Sequence, residues 1–203
     1  MSLRVGFDLD GVLFDFWKSV QEYMRSLGLE CEWNDEDDDA QSWDSYKQWG
    51  LSFGEFIELC DDGVDAGYIF RNNIRRGSRY ALEMTKAMGH DIIIITDRNF
   101  GNPKSNSQKA TEEWWKWAEF PDYTELHFSP DKTIVHTDIF VEDKLENYDA
   151  LEAAGVDVYL VNRPWNFVEG CTRNRINGVR EYANAISQLT KRMPHDTIVP
   201  LEG

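Results

Sequence analysis

Cysteine is scarce in this chain: Cys31, Cys60 and Cys171 are the only three in 203 residues. Their odd number and wide scatter exclude a disulfide framework and leave no paired spacing for zinc. They read as free thiols of a reducing compartment, so the expected location is cytoplasmic. Long apolar runs are missing as well. No stretch can span a bilayer, and no signal-like segment stands ahead of the first strand, so no membrane partner is expected. Basic residues are outnumbered, 21 Lys and Arg against 37 Asp and Glu, for a formal charge of −16. A surface so acidic argues against nonspecific binding to a nucleic-acid backbone or an anionic membrane. Between Glu30 and Asp44 there are eight acids and no Lys or Arg. For the run Asp35–Asp39 a solvated acidic loop is expected in preference to a second metal site. No internal repeat appears.

What is present argues for one folded unit. Hydrophobic residues make up 41% of the chain and there are eight tryptophans, enough for one sizeable core and a modest insertion. The pattern predicts a strand over Leu3–Asp10 and a helix over Phe14–Leu27 closed by Gly28. Next comes a helix over Ser52–Cys60 with Phe53, Phe56, Ile57 and Cys60 on one stripe. Helix Ser78–Met88 precedes the strand that opens at Asp91. A loop is expected over Asn99–Ser107 and a helix over Ala110–Glu119, whose Trp114, Trp115 and Trp117 cannot all face one side. Strands at Glu125–Phe128 and Asp138–Glu142, a helix over Asp149–Ala154, a last strand at Asp157–Val161 and a helix over Arg180–Arg192 complete the pattern. Strand–helix alternation of this kind favours an α/β fold with a parallel, Rossmann-like sheet. Residues 1–29 and 71–193 are expected to form that core, 30–70 a small helical cap inserted after the first strand–helix unit, and 194–203 a flexible tail.

The most informative stretch is Val5-Gly6-Phe7-Asp8-Leu9-Asp10-Gly11-Val12-Leu13. An apolar strand ends in two carboxylates spaced two apart, and residues i and i+2 of a strand share a face. Paired acids repel unless a cation or a shared proton compensates, and hard oxygen ligands suit Mg2+. An acidic turn after an edge strand is the bland alternative. Two later runs bear on the choice. Ile92-Ile93-Ile94-Ile95 ends at Thr96, and Ile139-Phe140-Val141 ends at Glu142-Asp143, with Lys132 shortly before. Ligands of open α/β sheets bind outside the carboxyl ends of the strands, so these groups are expected to converge.

Their order resembles the four motifs of the haloacid dehalogenase superfamily: Asp8-Leu9-Asp10-Gly11-Val12, Thr96, Lys132 and Glu142-Asp143. A narrower resemblance is to its 5'(3')-deoxyribonucleotidase branch, through Asp8–Phe16 (DLDGVLFDF), Gly67–Arg71 (GYIFR) and Asp131-Lys132-Thr133 with Asp138–Asp143. That resemblance implies a haloacid dehalogenase fold and a Mg2+-dependent phosphatase of (deoxy)nucleoside monophosphates. It implies catalytic roles for Asp8 as nucleophile, Asp10 as acid and base, and Thr96 and Lys132 as phosphoryl holders. It also implies metal ligation by Asp8, Asp10 (through its carbonyl) and Asp143, with Glu142 acting through water. Phe16 falls where the branch places an aromatic against the base, although packing within the first helix is an equal alternative. The chain departs from the branch at Thr96-Asp97-Arg98, where Thr-Ser-Pro is usual, and at Glu142, where Asp is usual. Asp97 and Arg98 are therefore expected to bear on the substrate, Arg98 by selecting a second anionic group or else by pairing with an acid. The cluster Arg71, Arg75, Arg76 and Arg79 either guides an anionic substrate or decorates a helix start. Arg163-Pro164-Trp165-Asn166 either braces the site or packs a loop. A broader small-molecule or nucleic-acid-end phosphatase and a noncatalytic acidic binding protein are the alternative functions. The oligomeric state is open, a homodimer included.

Overall fold

A computed structural model describes residues 2–31 and 40–192. The run Asp35–Asp39 and the segment from residue 194 on lie outside the described residues, and with them the expectations of an acidic loop and a flexible tail. Six strands form one parallel sheet: β1 (Arg4–Phe7), β2 (Asp91–Thr96), β3 (Glu125–Phe128), β4 (Ile139–Glu142), β5 (Asp157–Val161) and β6 (Arg175–Ile176). Their order across the sheet is β3-β2-β1-β4-β5-β6. The chain builds outward from β1 on one side, then returns to build on the other. The β1/β4 seam is thus the topological switch point, where a cleft opens beyond the strand ends.

Apolar content on both faces explains why these strands are central. Ile92 and Ile94 join the larger core with Val5 and Phe7, while Ile93 and Ile95 face a second core with Phe140, Tyr148 and Leu151. All four isoleucines are fully buried, each contributing roughly 2 kcal/mol in transfer terms. Gly6 is required at the centre of the sheet, since a Cβ there would lie 2.0 Å from the Phe140 ring.

Helices α1 (Phe16–Ser26), α2 (Phe53–Asp65), α3 (Ser78–Ala87), α4 (Ser105–Trp117), α5 (Leu145–Ala153) and α6 (Val179–Arg192) complete the fold. Several boundaries differ from the sequence pattern for local reasons. β1 stops at Phe7 because Leu9 turns the chain: its carbonyl accepts from the amides of Val12, Leu13 and Phe14. α1 opens late because Asp15 caps it, accepting from Lys18 N at 3.3 Å. α2 runs five residues beyond Cys60 and buries Phe56, Cys60, Gly63 and Val64, leaving Phe53 exposed. Ser52 and Glu55 form its reciprocal cap, a device worth about 1 kcal/mol. α4 begins at Ser105, inside the expected loop, and α5 at Leu145, four residues early. Trp114 and Trp115 are buried while Trp117 is exposed. β5 is followed by one more strand, the two-residue edge β6. Among the described residues no helix is long and apolar enough to cross a membrane, and Cys31, Cys60 and Cys171 form no disulfide.

Candidate active site

Three loops meet beyond the carboxyl edge of β1, β2 and β4. Asp8 follows β1 directly, and its amide donates to the Val141 carbonyl at 3.1 Å, extending the β1/β4 ladder by one bond. Its side chain therefore lies next to Glu142 and Asp143 at the end of β4. Gly11 lets the loop close over them. Its φ is +78°, and a Cβ there would lie 1.9 Å from Asp143 Oδ2, so no other residue fits without displacing that carboxylate. Lys132 enters from the β3–β4 turn, which Asp131 orders by accepting from Thr133 N at 2.8 Å. Lys132 Nζ donates to Asp8 Oδ1 and to the Ile95 carbonyl, both at 2.8 Å.

Charge in this cluster does not balance. Asp8, Glu142, Asp143 and Lys132 are all buried, giving three acids to one ammonium. Carboxylate oxygens of the three acids lie within 4.8 Å of one another. Burial pushes the Asp8 carboxyl above its usual range, with Lys132 opposing and Asp10 adding to the rise. Burial, then the Asp8 charge, pushes Glu142 up to about 7. Burial, Glu142 and Asp8 together hold Asp143 well above the usual carboxylate range. Burial works against the Lys132 ammonium, but Asp8 and Glu142 outweigh it and raise its pKa. Glu142 Oε1 accepts from Lys144 N and Asn147 Nδ2, each at 3.1 Å, whereas Oε2 is buried with no partner among the described residues. Thr96 Oγ1 is likewise buried and unpartnered. Excess carboxylate charge, an orphan oxygen and the Gly11 cradle suit a hard divalent cation. Asp8, Asp143 and Glu142 are the side chains that would hold it.

The sequence matches the family described as 5' nucleotidase, deoxy (pyrimidine), cytosolic type C over residues 2–186. The chain belongs to this family. It is a phosphoric monoester hydrolase of the nucleotidase class. A protein of Chlorobaculum tepidum assigned as a 5'(3')-deoxyribonucleotidase is 30% identical over 162 residues, which cover 76% of each chain. Solved structures share the fold at low identity. An L-2-haloacid dehalogenase matches with a TM-score of 0.57 and 13% identity, over 92% of this chain and all of its own. A haloacid dehalogenase superfamily hydrolase from Geobacter sulfurreducens matches with a TM-score of 0.55 and 15% identity, over 91% of this chain and 96% of its own.

In this nucleotidase-family chain, one cleft brings together Asp8, Asp10, Phe16, Asp97, Lys132, Glu142 and Asp143. Phe16 is half-buried; its ring stacks on Phe100 at 6.1 Å between centroids and 14° between planes. Asp97 is exposed at the rim. Thr96 ends β2 as a buried residue, its hydroxyl unpartnered.

Arg98 corrects the expectation of a contact with substrate. Its side chain is fully buried, and it pairs with an acid instead: Nε donates to Asp10 Oδ2 at 3.0 Å and Nη2 to Asp10 Oδ1 at 2.9 Å. The arginine cluster also divides. Arg71 pairs with Glu113 and Arg79 with the α4 C-terminus, while Arg75 donates to Asp15 and lines the cleft.

The Arg163–Asn166 segment braces the site. Trp165 Nε1 donates to Asp143 Oδ2 at 3.0 Å, Asn166 Nδ2 to the Asp143 carbonyl at 2.7 Å, and Arg163 Nε to the Gly11 carbonyl at 2.7 Å. Position just after a strand at the functional edge was the signal for this segment, but nothing in Arg-Pro-Trp-Asn itself names an indole donor to Asp143. Phe100 and Trp43 also line the cleft. Both sit in segments rich in polar residues, which carried no periodicity to single them out.

Proposed function

We propose that this chain hydrolyses deoxynucleoside monophosphates through an aspartyl-phosphate on Asp8. The observation that carries the reading is the buried Lys132–Asp8 pair, 2.8 Å apart, set within a carboxylate cluster at the switch point. Lys132 holds one oxygen of Asp8, leaving the other to attack phosphorus as the bond to the ester oxygen breaks. Asp10, beside it in the cleft, gives a proton to the departing oxygen. It later takes one from the water that cleaves the acyl-phosphate and frees Asp8. Thr96 and Lys132 hold the phosphoryl oxygens; the unpartnered Thr96 hydroxyl is a donor in need of such an acceptor. Mg2+, when bound by Asp8, Asp143 and Glu142, supplies positive charge that offsets carboxylate and phosphate together.

The substrate reading rests on the family match and the aromatic wall of Phe16 and Phe100. The 30–70 segment, whose α2 lies against α1 and α4, serves as the cap that closes over one small molecule. Phosphate release from a panel of nucleoside monophosphates and sugar phosphates, with and without Mg2+, tests the whole. Turnover that requires Mg2+ and favours deoxynucleotides is expected. Equal turnover of sugar phosphates would replace this reading with a general phosphatase, and full activity in excess EDTA would remove the metal.

A further inference from the structure

Arg98 is a fully buried cation that the reaction above leaves without a role. It occupies a cage of three aromatic faces, with Cζ 4.1 Å from the Phe70 centroid, 4.6 Å from Phe14 and 5.2 Å from Trp114. Nη1 donates to Thr111 Oγ1 at 3.1 Å. Nε and Nη2 fork onto the two oxygens of Asp10. Two walls of the cage tie it to neighbouring parts of the site. Phe14 belongs to the same loop as Asp10, and its carbonyl accepts from Gly11 N at 2.9 Å. Phe70 closes the 30–70 segment and holds its buried ring there from a backbone φ of +63°, a conformation disfavoured for a bulky side chain.

A guanidinium is planar and rigid, so rings that fix its plane also fix the plane of a carboxylate forked upon it. The fork uses one lone-pair position on each Asp10 oxygen and leaves the others open. The Asp10 side chain stays 27% exposed, and that open side meets the cleft. We propose that Arg98 is the positioning residue of Asp10, aiming its carboxyl at the ester oxygen that leaves and at the water that later attacks. This rests on the acid–base role assigned to Asp10 above. Selection of a second substrate anion is excluded, because no part of the guanidinium reaches the cleft surface.

The test compares Arg98→Met and Arg98→Lys with wild type on a deoxynucleoside 5'-monophosphate and on p-nitrophenyl phosphate. In the first step Asp8 bonds to phosphorus and the ester oxygen departs. A sugar alkoxide needs the proton of Asp10, whereas p-nitrophenolate leaves without it. The second step needs Asp10 as base whichever ester was used. A misaimed Asp10 therefore slows the first step with the nucleotide and the second step with the aryl ester. For Arg98→Met we expect kcat on the nucleotide to fall about a hundredfold with KM nearly unchanged. On p-nitrophenyl phosphate we expect a burst of about one product per enzyme before a slow steady state. Arg98→Lys, which keeps the charge and loses the fork, should fall about tenfold in kcat with the same burst, and it serves if Arg98→Met fails to fold. Wild-type kcat on the nucleotide in both variants would overturn the proposal. So would equal losses on both esters without a burst, which mark a packing role. Ethyl phosphate in place of the nucleotide provides the same contrast, so a mistaken substrate assignment would show as poor wild-type turnover of nucleotides while the burst still reports on Arg98.

Discussion

Asp8 and Asp10 stand two residues apart in one loop, yet their surroundings are opposite. Asp8 shares a buried site with Glu142 and Asp143, and among the described residues Lys132 is its one cationic partner there. Asp10 is matched one to one by Arg98, whose charge is spread over three aromatic faces. The first environment is short of positive charge, which suits the cation proposed for it. The second is closed on itself and fixes a direction. A nucleophile gains from a site that only ligands complete, whereas an acid–base group gains from one orientation held through both half-reactions.

Removing Asp8, the proposed nucleophile, should give the largest effect. Asp8→Asn changes shape little, so folding should survive while phosphate release falls by a factor of about a thousand or more. A soluble variant with near-normal activity would collapse the contrast between the two aspartates. Asp143→Ala comes next, with an expected loss of about a hundredfold in Mg2+-dependent turnover and a smaller loss for Glu142→Ala. The reverse ranking would exchange the roles of the two residues. Trp165→Phe keeps an aromatic ring but loses the indole donor to Asp143, and it should raise the Mg2+ concentration for half-activation about tenfold. Phe16→Ala should cut the preference in kcat/KM for a deoxynucleotide over phenyl phosphate about tenfold, as the loss of one stacking contact would.

Stability of the metal-free protein sharpens the same contrast. Carboxyl pKa values at Asp8, Glu142 and Asp143 are raised in the folded state by burial. Between the unfolded value and the folded one, the native state binds more protons than the unfolded chain, so stability falls as pH rises through that window. For Glu142 the window runs from 4.5 to about 7. Thermal unfolding in EDTA should therefore give a lower Tm at pH 8 than at pH 5.5, and saturating Mg2+ should recover the loss at pH 8. A Tm that rises with pH in EDTA would contradict the charge imbalance.

The parallel sheet was legible in the sequence because its central strands are buried on both faces and read as apolar runs, Ile92–Ile95 above all. Asp8 and Asp143 were legible because each sits at or near the end of such a run, where topology forces convergence, and Lys132 because it stands in the turn shortly before β4. Local capping moved the boundaries: Asp15 delays α1, and Leu9 ends β1 early by turning the chain. Arg98 was half legible. Its departure from the usual motif marked it, but whether it faces the cleft or Asp10 depends on Phe14, Phe70 and Trp114, which come from three distant segments. Trp165 depends in the same way on a loop contact that no periodicity encodes.

The account stands most directly on a covalent phosphoryl group at Asp8. A deoxynucleoside monophosphate labelled in its phosphate, mixed with enzyme and Mg2+ and quenched in acid within one turnover, should leave label on the peptide that carries Asp8. The label should decay at the rate of phosphate release and be absent from Asp8→Asn. Turnover without any bound label, or label on another residue, would contradict it.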